Sequence, residues 1–341
     1  MDALKLKASF EKFTLDFKRP SGTSRGVLTQ KTGWLLKIED ESGREGLGEC
    51  SVIAGLTPEY ESDESYEQKI IEVCNNILFY IENIELLNDF SSIKFAVESA
   101  WLDFQNGGNR IYFSTGTSNF KIPINGLIWM GEPAYMSTQV QEKINLGFSC
   151  IKLKIGALNF EEELRIIESI RTNFSSNKIT LRVDANGAFQ VNEALKKLDS
   201  LAKYDIHSIE QPIKAGNWLE MKQFCNVTPI PIALDEELIG IHGENRKVEL
   251  LETINPQYII LKPSLHGGIS GSREWIQLAE DRKIGWWITS ALESNIGLNV
   301  LTQFTATFSP TLPQGLGTGN LYKTNFNAPL VVEKGFLEYS K

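Results

Sequence analysis

The sequence is poor in the residues that build soft-metal sites and disulfide frameworks. Its four cysteines, Cys50, Cys74, Cys150 and Cys225, are scattered without a C-x-x-C spacing, which argues against a zinc knot or a disulfide scaffold and suits a reducing cytoplasm. It holds three histidines, His207, His242 and His266, too few for a His-rich centre, so a metal here would take oxygen ligands. Basic charge is not in excess either: 34 Lys and Arg stand against 43 Asp and Glu, a net charge of −9. No basic run offers the footprint that a phosphate backbone requires, which excludes nucleic acid and anionic membrane as partners. The first residues, MDALKLKASFEKF, alternate polar and apolar side chains, and no apolar run approaches the roughly 18 residues of a membrane span. Neither a secretion signal nor membrane insertion is expected.

What is present is ordinary globular material, 42% apolar and 23% charged over 341 residues. That length accommodates a (β/α)₈ barrel of roughly 250 residues with a smaller second unit. Residues 4–17, 33–39 and 44–50 read as three strands around the Asp40–Gly43 turn, and the apolar positions Ile70, Ile71, Cys74, Ile77, Leu78 and Ile81 recur at helical spacing. An antiparallel meander followed by helices makes an α+β unit. From residue 120 the chain changes rhythm. Eight short apolar runs, at 122–130, 150–156, 179–187, 206–212, 231–237, 258–264, 284–294 and 311–319, alternate with helix-period stretches. The polar residues closing six of them, Lys154, Asp184, Glu210, Asp235, Lys262 and Ser290, follow one another at about 25–30 residues, the length of one βα unit. The final stretch, PLVVEKGFLEYSK, alternates again and is expected to return to the N-terminal sheet. The expected division is 1–119 for a capping domain, 120–324 for the barrel and 325–341 for the returning segment.

In a parallel barrel the strand C-termini share one mouth. Asp184, Glu210 and Asp235 close three successive strands, so three carboxylates converge there. Taken singly, each could instead cap the helix that follows it; at matched positions in three successive units, mutual repulsion calls for a hard divalent cation, Mg²⁺ foremost and Mn²⁺ as a substitute. In Ile151-Lys152-Leu153-Lys154-Ile155 the alternation puts both lysines on one face, and within a barrel strand that face is the inner one. Neighbouring ammonium groups depress each other's pKa, which would make one of them a general base. Lys262 arrives four strands later, on the opposite wall. Three acids, a divalent ion and three lysines leave a net positive site, suited to a small carboxylate substrate and to the charge that develops when a proton beside that carboxylate is removed: enediolate chemistry with a lysine base.

The set Lys152-x-Lys154, Asp184-Ala185-Asn186, Glu210-Gln211-Pro212, Asp235-Glu236-Glu237 and Lys262-Pro263 resembles the enolase superfamily, specifically its muconate-cycloisomerase-like subgroup. The resemblance implies an α/β fold, a modified (β/α)₇β TIM barrel with an N-terminal α+β capping domain completed by the C-terminal strand. It also implies Mg²⁺ on Asp184, Glu210 and Asp235, acid/base chemistry at Lys154, and Lys152 beside the substrate carboxylate. Within the subgroup the segments 21–26, 290–297 and 315–319 are similar to those of the o-succinylbenzoate synthase family, which dehydrates a cyclohexadiene carboxylate. That likeness implies substrate contacts from Asn186, Ser290, Thr23, Ser24, Arg25 and Gly315. It further implies a face-on role for Lys262 as a cation against the ring.

Two other activities fit some of the same residues. N-acylamino acid racemisation needs lysines on both faces and is compatible with Lys154 and Lys262. A retaining glycosidase would use Glu210 and Glu293, but leaves the lysines and two acids without a task. Dipeptide epimerases of the subgroup carry acids near the eighth strand, where this chain has Gly317-Thr318-Gly319. The glycines at 315–319 lack the Lys-Ser/Thr of a phosphate-binding loop and point to close backbone approach. Glu98 and Asp103 read as solvated or packing acids, and Trp286 and Trp287 as core.

Overall fold

The computed structural model describes residues 5–23, 26–129 and 131–340, with residues 21–23 described by backbone alone. It begins with an antiparallel sheet of β1 (Leu6–Thr23), β2 (Gly26–Asp40) and β3 (Glu45–Ser51). Against it pack α1 (Asp63–Asn75), α2 (Ile77–Glu82) and α3 (Ser91–Gln105). Alternation aims Trp34, Leu36 and Ile38 of β2 at Tyr66, Ile70 and Val73 of α1, all buried. Fully burying an aliphatic side chain of this kind stabilises by about 1.5–3 kcal/mol. Helix α3 lies so close to β3 that a Cβ on Gly48 would sit 1.9 Å from the Ala96 carbonyl oxygen; glycine is required there.

The remaining chain runs through β4 (Phe120–Pro123), β5 (Gly126–Ile128), α4 (Pro133–Asn145), β6 (Cys150–Lys154), α5 (Phe160–Asn173), β7 (Thr180–Asp184), α6 (Val191–Ala202) and β8 (Ile206–Glu210). There follow α7 (Trp218–Val227), β9 (Ile232–Leu234), α8 (Glu244–Ile254), β10 (Tyr258–Leu261), α9 (Gly268–Asp281), β11 (Gly285–Ile288) and α10 (Asn295–Ala306). Among the described residues β5 to β11 form one seven-stranded parallel sheet in sequential order, each strand followed by a helix on its outer side. Aliphatic residues such as Ile151, Leu153, Leu181 and Ile209 meet those helices.

The eighth run is reduced to a bridge. Gln314 N–H donates to the Pro123 carbonyl (2.8 Å) and Asn125 N–H to the Gln314 carbonyl (2.9 Å). On the other side Gly315 N–H donates to Ile288 O (2.8 Å) and Ser290 N–H to Gly315 O (3.0 Å). Four backbone hydrogen bonds thus join β11 to the residues beside β5, and among the described residues only a 3₁₀ turn (Gly319–Leu321) and no α-helix follows, which is the (β/α)₇β arrangement. A Cβ on Gly315 would lie 2.3 Å from Thr289 Oγ1. Gly315→Ala is therefore expected to cost about 1–3 kcal/mol through overpacking, read as a lower melting temperature; an unchanged one would show that Thr289 yields freely.

The C-terminal segment departs from the expectation of a strand returning to the N-terminal sheet. It forms a hairpin of β12 (Leu330–Glu333) and β13 (Phe336–Tyr339), and β13 pairs with β4. The alternating run is broken by Lys334 and Gly335, at φ 50° and 78°, and a two-residue turn with both centres left-handed matches strand twist and folds the chain back on itself. The N-terminal sheet is met earlier, where Tyr322 bridges Phe17 and Lys323 N–H donates to Asp16 O (2.9 Å). Of the two readings open for Glu98 and Asp103, packing is the one seen, with Asp103 fully buried and Glu98 half-buried. Asp103, fully buried, accepts from Leu47 N–H (3.0 Å) and Arg110 N–H (2.6 Å), while Glu98 accepts the first amides of α9, Ile269 (2.5 Å) and Ser270 (3.1 Å). Trp287 is buried inside the barrel, its ring under the Arg182 guanidinium at 3.9 Å. Trp286 is half-buried on the outside against Phe308.

Candidate active site

Strand alternation carries Lys152 and Lys154 of β6, Asp184 of β7 and Glu210 of β8 inward, and the parallel register sets Lys154 beside Asp184 and Asp184 beside Glu210. Asp235 and Lys262 stand immediately after β9 and β10. The three acids are at most 2% exposed. Lys152 Nζ donates to Asp184 Oδ2 (3.0 Å) and Glu210 Oε2 (2.8 Å). Lys154 Nζ donates to the same Asp184 oxygen (2.9 Å) and to Asn186 Oδ1 (2.6 Å). Lys262 pairs with Asp235 Oδ2 from the neighbouring strand end.

Burial alone would lower the Lys152 pKa, but Asp184 and Glu210 outweigh it and hold the ammonium well above its ordinary range. The mutual depression expected of the lysine pair does not govern Lys152, whose two carboxylate partners raise it further than burial lowers it. Burial, and after it Asp184 alongside, push Glu210 upward; a positive charge placed there would oppose that shift. Glu210 Oε1 and Asp235 Oδ1 are buried with no hydrogen-bond partner among the described residues. Orphaned carboxylate oxygens in a dry site are costly, and two of them on acids from adjacent strand ends suit a hard cation. No three His, Cys, Asp or Glu side chains among the described residues are drawn into a finished cage, since the lysine ammonium groups stand between the acids. The donor set itself fits a divalent ion held by oxygen.

Several residues that hold this arrangement carry no signal in composition. Asn186 is left-handed at φ 44°, which Asn tolerates, and it presents Oδ1 to Lys154 while Nδ2 donates to Glu236 Oε1 (3.0 Å). Gln211 ties the ends of β8 and β9: Oε1 accepts from Asp235 and Glu237 N–H (both 3.2 Å) and Nε2 donates to Glu237 Oε2 (2.9 Å). His266 Nδ1 accepts from the Lys262 amide (2.9 Å), and burial keeps that ring neutral, well below its ordinary pKa. Its spacing of four from Lys262 was the available clue.

Above the acids lies a cavity of about 470 Å³ bounded by Lys152, Lys154, Lys262, Asn186, Ser290 and Gly315. Its roof comes from the N-terminal unit: Lys18, Arg19 and Leu28 of the β1–β2 hairpin, and Ile53, Ala54 and Leu56 after β3. Trp129, Tyr135 and Gln139 add a wall that periodicity did not single out. Among the expected substrate contacts, Asn186, Ser290 and Gly315 border the cavity, whereas Ser24 and Arg25, and the Thr23 side chain, fall outside the described residues. Glu293 of the glycosidase alternative is fully buried behind the wall, its carboxylate taken by Ser264 (2.5 Å) and Ser290 (2.6 Å) hydroxyls. It does not face Glu210 across a sugar-sized gap.

Residues 135–341 match the enolase C-terminal domain-like family, and the chain belongs to it. The o-succinylbenzoate synthase of Desulfotalea psychrophila is 42% identical, over 98% of this chain and 99% of that protein. The crystal structure of MenC from Desulfotalea psychrophila LSv54 superposes with a TM-score of 0.86 at 38% identity, covering 97% of this chain and 99% of the other. A dipeptide epimerase from Enterococcus faecalis V583, solved with Mg and the dipeptide L-Leu-L-Tyr, shares the fold with a TM-score of 0.85 at 23% identity, over 99% and 98% of the two chains. The protein is an enzyme of the enolase superfamily with the capped-barrel architecture of muconate lactonizing enzymes. No helix among the described residues is long and apolar enough to cross a membrane.

Proposed function

We propose that this enzyme dehydrates 2-succinyl-6-hydroxy-2,4-cyclohexadiene-1-carboxylate to 2-succinylbenzoate, a step of menaquinone biosynthesis, with Mg²⁺ bound by Asp184, Glu210 and Asp235. The observation that carries this reading is the meeting of Lys154 and Lys262 over one cavity beside three buried acids, in a chain 42% identical to a named synthase. The epimerase relatives are more distant, at 24% and 26% identity, and Gly317-Thr318-Gly319 offers no acid for a substrate ammonium group. The cytoplasm, where a soluble intermediate is consumed, is the proposed location.

A divalent ion, which Asp184, Glu210 and Asp235 would hold, would supply positive charge for the substrate carboxylate and for the charge that develops beside it. Lys152, charged and buried at the floor, adds a second cation beneath that carboxylate. Lys154, oriented by Asn186, removes the proton on the carbon bearing the carboxylate. The electron pair left behind moves into the ring as the C–O bond breaks, and Lys154 returns the proton to the departing hydroxide on the same face, so that water leaves and the ring becomes aromatic. Lys262, fixed by Asp235 and by its amide bond to His266, lies against the opposite face and stabilises the planar anion as a cation over a π-system. The roof over the cavity, with Leu28, Ile53 and Leu56 among its residues, excludes water and strengthens each of these interactions.

The test is to assay the Mg²⁺-loaded protein with the cyclohexadiene carboxylate and, separately, with an N-succinylamino acid in D₂O. Dehydration with little α-proton exchange is expected. Exchange without dehydration would assign the site to an N-acylamino acid racemase instead.

A further inference from the structure

The turn between β11 and α10 supplies Ser290, Ala291 and Leu292 to the cavity wall. Leu292 is left-handed, at φ 63°, a conformation in which a leucine Cβ crowds the following carbonyl and which persists only where the surroundings impose it. Glu293, the next residue, is fully buried and accepts on both carboxylate oxygens. One donor, Ser290 Oγ, is at the start of the same turn and in addition accepts the amides of Leu292 (3.0 Å) and Glu293 (3.3 Å). The other, Ser264 Oγ, belongs to the turn that begins at Lys262. A single carboxylate therefore joins the turn carrying the cation to the turn carrying the wall.

The capping unit grips the same turn from the opposite side. Glu49 of β3, also buried, accepts from Ser294 N–H (2.8 Å), Ser294 Oγ (2.5 Å) and Gly297 N–H (2.8 Å) at the start of α10, where amides without intrahelical partners favour an anion. Tyr322 donates its hydroxyl to the Leu292 carbonyl (2.6 Å). Lys31 lies near Glu49 and Glu293 as their buried counter-charge and donates to Ser51 Oγ (2.9 Å) and Val52 O (2.7 Å). Tyr322 also packs its ring in the apolar cluster with Phe17 and Leu292, but the charged groups bury no such area, and two carboxylates with one lysine are a costly thing to place in a dry interior. Their common effect is on the backbone at 290–294.

We propose that Glu293 is a positioning residue for this enzyme: through Ser290 and Ser264 it holds Leu292 in its strained conformation and sets the cavity wall against Lys262, with Glu49 locking the capping unit onto that turn. The proposal rests on the dehydration reading for its kinetic test, and product binding provides a readout independent of turnover. In Mg²⁺-loaded Glu293→Gln, KM for the cyclohexadiene carboxylate and Kd for 2-succinylbenzoate by calorimetry are expected to rise at least about tenfold, with kcat changing much less, as a misplaced binding wall requires. Amide exchange at Leu292 should accelerate in the same variant. If Glu293→Gln does not fold, Ser264→Ala removes one hydroxyl donor at a residue outside the cavity and should raise KM in the same direction. Where both variants fold, their effects should be less than additive, because they remove one hydrogen bond. Parent-like KM and Kd in a folded Glu293→Gln, or in Ser264→Ala when that alone folds, would overturn the proposal. Full additivity of the two would do so as well. A parent enzyme that does not dehydrate, yet loses 2-succinylbenzoate affinity in Glu293→Gln, would refute the reaction and keep the positioning role.

Discussion

Lys154→Ala is expected to lose dehydration by about 10²–10⁴-fold in kcat, the usual worth of a positioned general base, while the protein stays folded. Lys154 is the cavity residue whose Nζ is shared between Asp184 and Asn186, so that it is aimed with one carboxylate partner, where Lys152 is tied to two. Truncation leaves the acids with Lys152 and Lys262 still in place, and affinity for 2-succinylbenzoate should change far less than kcat. The check is steady-state kinetics beside product titration and a melting curve. A variant with substantially retained kcat would move the proton transfer to another group and overturn the mechanism.

Lys262 provides the sharper discrimination, because the two chemistries open to this site ask different things of it. As a cation over the ring it needs only charge, and Lys262→Arg keeps the charge, the hydrogen-bonding partner for Asp235 and the capacity to stack on a π-face. Dehydration should then survive within about one order of magnitude, the cost of a misfit rather than of a missing group. As the second base of a racemase it must release a proton, and a guanidinium does not deprotonate in proteins. Any N-succinylamino acid racemisation should therefore fall by about 10²–10⁴-fold. Lys262→Met, which removes the charge and leaves Asp235 buried without its partner, should impair both. Dehydration that collapses in Lys262→Arg as fully as in Lys262→Met would show that Lys262 transfers a proton instead of supplying a field.

The barrel and its chemistry were written in the one-dimensional pattern for a physical reason. Each strand end must be followed by a crossover of similar length, so inward-facing polar residues recur at a nearly fixed interval, and Lys154, Asp184, Glu210, Asp235 and Lys262 could be read in register before any was placed in space. The retained motifs around them tied that register to one superfamily. The C-terminal hairpin was readable in principle, but the Lys334–Gly335 turn interrupts an otherwise continuous alternation by two residues only, and alternation says nothing about which strand a segment will pair with. Asp103 and Glu98 could not be told apart from solvated acids in the sequence because their donors, the Leu47 amide and the first amides of α9, lie far from them along the chain.

By itself the sequence determined the repeating strand–helix register and the inward set of three acids and three lysines, and hence the kind of charge the site can stabilise, while the eighth expected strand proved to be a bridge. Only the tertiary structure decided which acid each lysine serves, that Glu293 is a hidden brace and not a facing carboxylate, and that the cavity roof is built from Lys18, Arg19 and the residues after β3. Side-chain periodicity is a local property fixed by backbone geometry, whereas the pairings depend on which donors from other strands and turns lie within reach of each buried carboxylate, and the roof on how the N-terminal unit meets the barrel.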